Sequence, residues 1–148
     1  MDNVLKLMFL LSFFAVSGFC QESTVTDTIS IREKSIIFFE INQSEYDSLS
    51  KESKQEFSEL YSDFHYYRKN VQVWLEKERI NCILTDKRFI NILFNSKGSH
   101  KHKIFDRLDS DHSFSVIFVD PQKEPIYKLG IFTDVDIWSD IQKYFNIQ

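Results

Sequence analysis

The sequence predicts a single-domain α/β fold, bordering on α+β, in which a mixed β-sheet is flanked by helices in a three-layer sandwich. Three observations carry this. Runs rich in β-branched and aromatic residues, SIIFFEI (35–41) and SFSVIFV (113–119), read as strands buried on both faces. Between the first such run and the next, apolar residues recur at three-and-four spacing, the signature of one long helix face. The chain also carries 15 Phe, 6 Tyr and 2 Trp against only 3 Gly and 2 Pro, a composition with a core to bury and few irregular loops, which excludes disorder.

The elements follow in order. DTISIR (27–32) alternates weakly and suits a first edge strand, and SIIFFEI (35–41) is the first core strand. Ser44 with Asp47 resembles a capping box opening a short helix, and Ser53 with Glu56 resembles a second. From there Phe57, Leu60, Tyr61, Phe64, Tyr67, Val71, Trp74 and Leu75 mark a helix over 54–78. Such a helix would be roughly 37 Å long at 1.5 Å per residue, enough for a small domain to expect a break near Asn70. INCILT (80–85) reads as a strand buried both ways, and RFINILF (88–94) as another strand. The turn NSKG leads to SHKHKIF (99–105) as a hairpin partner. DRLDSD (106–111) is a polar connection or a helical turn. SFSVIFV and IYKLGIF (126–132) form an antiparallel pair across DPQKEP, and Thr133 with Asp136 caps a last helix over 134–145.

Residues 1–20 have the layout of a cleavable signal peptide: Lys6 in a short polar start, the apolar run LMFLLSFFAV, then Ser17 and Gly18. A ten-residue run is too short to span a bilayer, which needs about 20 apolar residues. Phe19 stands where a lipoprotein needs a small residue before its cysteine, so Cys20 is not expected to be lipidated. A cut between Cys20 and Gln21 places Gly18 and Cys20 at the recognition positions. The exit FCQ is similar to those of signal peptides in Bacteroidetes-type bacteria. Residues 21–148 are then the exported domain, periplasmic or extracellular, with Cys82 as its one cysteine and no disulfide of its own. The net charge is −4 with both signs interspersed, which offers nothing to nucleic acid or an anionic membrane surface.

The segment SFSVIFVDPQKEPIYKLGIFTDVDIWSDIQKYF (113–145) resembles the strand–turn–strand–helix half of thioredoxin-like domains, and a strand followed by a long helix is compatible with their other half. The resemblance implies a thioredoxin-like core but not its chemistry. The junction EINQSEYD lacks the C-x-x-C of that family, and DSDHSFSV lacks its cis-proline, so no redox residues carry over.

Other chemistry is sparse. Cys82 in INCILT is a candidate thiol, but a lone cysteine in an apolar strand is more simply a small core residue. His100 and His102 alternate on one strand and, with His112, are candidate metal ligands; interleaved Lys101 and Lys103 disfavour a cation, and a solvated hairpin explains them. His65 is read as flanking the apolar face of the long helix. DSDHS (109–113) lacks the glycine and glutamate of a calcium loop. Asp134 and Asp136 are explained by helix capping. No phosphate loop, dinucleotide fingerprint, nucleophile elbow or zincin motif occurs. YSDFHYY holds more aromatics than one stripe can bury, and Tyr66 points away from the apolar line, a possible interaction surface. The sequence therefore leads to an exported, non-catalytic binding protein with another protein as partner, no cofactor and no membrane span after cleavage. An immunity-type inhibitor of a toxin is one form of it. The alternative is a thiol- or metal-dependent enzyme built on Cys82 or on His100, His102 and His112.

Overall fold

The computed structural model describes residues 27–96, 99–106 and 114–148. Its strands are β1 (Asp27–Ile31), β2 (Ser35–Phe39), β3 (Asn81–Thr85), β4 (Phe89–Ser96), β5 (Ser99–Asp106), β6 (Ser115–Val119) and β7 (Ile126–Leu129). Its helices are α1 (Gln43–Ser48), α2 (Lys51–Lys77) and α3 (Asp134–Phe145). The strands form two mixed sheets. The larger has the order β3-β2-β6-β7, with β3 parallel to β2 and the other pairs antiparallel. The smaller has the order β1-β4-β5, with β1 parallel and β5 antiparallel to β4.

The larger sheet is the middle layer, and its strands serve two cores by simple alternation. Ile36, Phe38, Val116 and Phe118 face the helices, where they meet Phe57, Phe64, Val71 and Leu75 of α2 and Ile137, Ile141, Tyr144 and Phe145 of α3. Ile37, Phe39, Ile117 and Val119 face the other way, onto Ile31, Ile90, Ile92, Phe94 and Phe105 of the smaller sheet. The α/β class holds, and so does a three-layer arrangement. The layer expected to be helical on the second face is instead the small sheet. The physical reason lies in β4, where Ile90, Ile92 and Phe94 are fully buried while Asn91, Leu93 and Asn95 turn outward. That period of two makes a half-covered strand, and β1 and β5 complete it on either side.

Four local expectations are corrected. The short helix α1 is capped by Asn42, not Ser44, with Asn42 and Glu45 forming the capping box. The long helix begins at Ser50, whose hydroxyl accepts from the Ser53 amide at 3.1 Å, so the Ser53–Glu56 box is not its start. No break occurs at Asn70: its side-chain amide donates to Asp134 at 2.7 Å, tying the middle of α2 to the first turn of α3. β3 is an edge strand, with Asn81 and Leu84 exposed and Cys82 half-buried, rather than a strand buried on both faces. The last helix has the expected bounds, with Thr133 as cap accepting from the Asp136 amide. Gly130, at φ +95°, makes the left-handed turn between β7 and this helix that other residues rarely adopt. No helix among the described residues is long and apolar enough to cross a membrane.

Candidate functional site

The residues singled out from sequence do not converge. His112 and Cys20 lie outside the described residues. His100 and His102 share the outward face of β5, both exposed, with the His102 Nδ1 3.3 Å from the side-chain amide of Asn91. Lys101 and Lys103 pair instead with Glu124, at 2.8 and 3.7 Å, and the hydrogen bond from Lys101 is the first cause holding the Glu124 carboxyl below its usual range. Among the described residues no group of three or more His, Cys, Asp or Glu is placed to hold a metal ion. Cys82 packs against the helix-side core. Burial pushes its thiol above the ordinary value, more than the charge and hydrogen bond of neighbouring Arg68 pull it down. A thiol held protonated is a poor nucleophile and a poor metal ligand.

What the fold does assemble lies at the C-terminal end of β2. The chain leaves the sheet through Glu40 and Ile41, enters α1 at the Asn42 cap and turns at Leu49 into α2. The angle between α1 and the first turns of α2 leaves a groove of about 290 Å³, lined by Ile41, Asn42, Gln43, Tyr46, Phe57, Ser58 and Tyr61. Its floor is aromatic: Tyr46 and Phe57 lie 5.3 Å apart between ring centroids, and Phe57 stacks on Phe114 at 5.4 Å. Its rim is polar, with Asn42, Gln43 and Ser58. Behind it, His65 Nε2 meets Glu40 Oε2 at 2.8 Å, and the His65 ring lies 4.2 Å from that of Tyr61. Partial burial first, and then the Glu40 charge, raise the pKa of Tyr61. Its hydroxyl therefore stays a neutral donor and acceptor beside the groove.

Tyr61 lines the groove, and α2 exposes further apolar side chains elsewhere: Leu60, and Tyr66 (61% exposed) and Val73 (53% exposed), two turns apart on the side away from the core. Tyr66 is held edge-on by Tyr67 at 5.5 Å. Tyr66 thus lies where the excess of aromatics predicts. Glu40, Asn42 and Tyr46 were not legible as site residues, because only the packing of α1 against α2 brings them to Phe57 and His65. His65 does flank the apolar face, but its carboxylate partner is 25 positions away and carries no sequence signal.

Comparison with protein-family models, characterised proteins and solved structures finds no match to this chain.

Proposed function

We propose that the protein is an exported, non-catalytic binding protein that engages another protein through the α1–α2 groove and the adjoining face of α2. The observation that carries this reading is the aromatic groove with a polar rim, lined by Tyr46, Phe57 and the exposed Tyr61. Aromatic anchors in a concave, partly desolvated seat with polar groups around them are the usual makings of a protein contact. The order β3-β2-β6-β7 joins a strand–helix–strand half to a strand–strand–helix half, which supports the thioredoxin-like core. Asn42 and Gln43 stand at the strand–helix junction where that family keeps its cysteines, and the protonated Cys82 lies away from it. The core is read as a scaffold for binding, and neutralising a toxin is one concrete form that binding takes.

A photo-crosslinking amino acid placed at Tyr61, with Ser139 on α3 as the control position, tests this in the native host. The expected result is one discrete crosslinked protein from position 61 and none from position 139. Equal or absent crosslinking at the two positions overturns the reading. Export is tested separately by the mass of the native protein, which is expected to begin at Gln21 without lipid.

A further inference from the structure

We propose that the opposite end of the molecule, at the N-terminal ends of β2 and β3, is a binding site for a phosphate-type oxyanion. Four separate chain segments meet there around an open cleft of about 590 Å³: the β1–β2 turn with Arg32 and Lys34, the end of α2 with Arg79, the β6–β7 turn with Lys123, and the end of α3. Four cations thus face two acids, Glu33 and Asp120, on a chain whose net charge is −4. Asp120 is buried and its Oδ1 accepts from the Gln122 amide at 3.0 Å; Glu33 takes the Asn81 side chain at 3.5 Å.

The two lysines have a structural explanation. Lys34 and Lys123 donate to the carbonyls of Phe145 and Tyr144, at 3.3 and 2.5 Å, and so complement the negative end of α3. Each ammonium keeps further donors for a ligand. The two arginines have no such explanation. Among the described residues, the guanidinium groups of Arg32 and Arg79 make no hydrogen bond and no ion pair, although both line the cleft. Arg79 also sits at φ 57°. Its amide bonds to the Glu76 carbonyl, and that of Ile80 to the Leu75 carbonyl, the Schellman arrangement in which glycine is the favoured residue. An arginine in that position carries a local conformational cost that glycine would not. The guanidinium fork, flanked by fixed ammonium groups, matches the geometry of a phosphate group, which takes paired N–H donors.

Such a group comes from a soluble phosphate ester or from a lipid headgroup. The purified protein is titrated with glucose 6-phosphate by calorimetry and, in a second arm, with vesicles of phosphatidylglycerol against phosphatidylcholine, both at low and moderate salt. Saturable, salt-weakened binding in either arm is expected, and the arm that binds identifies the source. Arg79→Gly is expected to weaken that binding about tenfold, and Arg79→Lys less. Arg79→Gly is also expected to raise the Tm by about 3 °C, so the lost binding is not lost folding. No saturable binding in both arms, unchanged affinity in Arg79→Gly, or a fall in its Tm overturns the proposal.

Discussion

At the scale of single residues, Tyr144 shows how one polar atom couples two elements. Its hydroxyl accepts from the Asp120 amide at 3.1 Å and donates to the Glu124 carbonyl at 3.0 Å, which pins α3 to the β6–β7 turn. Tyr144→Phe leaves both backbone groups without that partner and is expected to cost about 1–3 kcal/mol in urea unfolding at pH 7. Burial first pushes the phenol up to about 12, from an ordinary 10.0. A raised pKa in the folded state means that the folded chain holds this proton more tightly than the unfolded chain. The contribution is therefore complete below pH 10 and is lost as pH rises from 10 towards 12. The urea midpoint of the wild type is expected to fall across that window more steeply than that of Tyr144→Phe; parallel curves would contradict the assignment. Cys82 gives a second prediction at this scale. Its half-buried, protonated thiol is expected to react with an aromatic disulfide reagent at neutral pH at least tenfold more slowly in the native protein than in urea. A native rate equal to the unfolded one would restore the thiol-dependent reading.

At the scale of elements, the helices test how far capping chemistry can be read from a string. Thr133 and Asp136 give α3 its correct start because the stretch LGIF (129–132) before them holds no rival capping side chain. Two serines compete for the start of α2, and the structure uses Ser50, with Ser53 serving as the residue whose amide is capped. Ser50→Ala is expected to cost about 1 kcal/mol and Ser53→Ala no more than a few tenths, measured by urea unfolding; the reverse ranking would place the helix start at Ser53. The length of α2 alone suggests a break near Asn70, yet the helix runs on unbroken, with the Asn70 side chain bonded to Asp134, 64 positions away. The strands divide in the same way. β2 and β6 are legible because they are apolar at every position after an opening serine and are central, while INCILT looks alike and is an edge strand. A strand's place in the order β3-β2-β6-β7 is a property of its neighbours, not of its own residues. The groove has the same status: Phe57 and Tyr61 are visible as an apolar face, but their pairing with Tyr46 needs the turn at Leu49. Arg79 belongs to this scale too, where the left-handed end of α2 is expected to gain about 1 kcal/mol from Arg79→Gly in urea unfolding.

At the scale of the whole molecule, the central sheet makes two cores into one thermodynamic object. Adjacent residues of one strand serve opposite sides: Ile36 and Phe38 pack on the helices, Ile37 and Phe39 on the small sheet, and all four are buried. Loosening either side must strain the same five-residue strand. The second core was only partly legible, since the alternation of β4 signals a covered face without saying whether a helix or a sheet covers it. Both tryptophans, Trp74 and Trp138, lie on the helix side with ring centroids 5.2 Å apart, so their fluorescence reports that core alone. Ile92 lies fully buried in the other core. Ile92→Ala is expected to cost about 3 kcal/mol from lost contacts and the cavity left behind. If the sheet couples the two sides, the tryptophan transition in urea moves by that full amount and coincides with the far-ultraviolet circular dichroism transition, as two-state unfolding requires. A tryptophan midpoint that stays in place while circular dichroism reports an earlier step would show that the small sheet unfolds on its own. The helix-side core, with the α1–α2 groove built on it, would then stand without it.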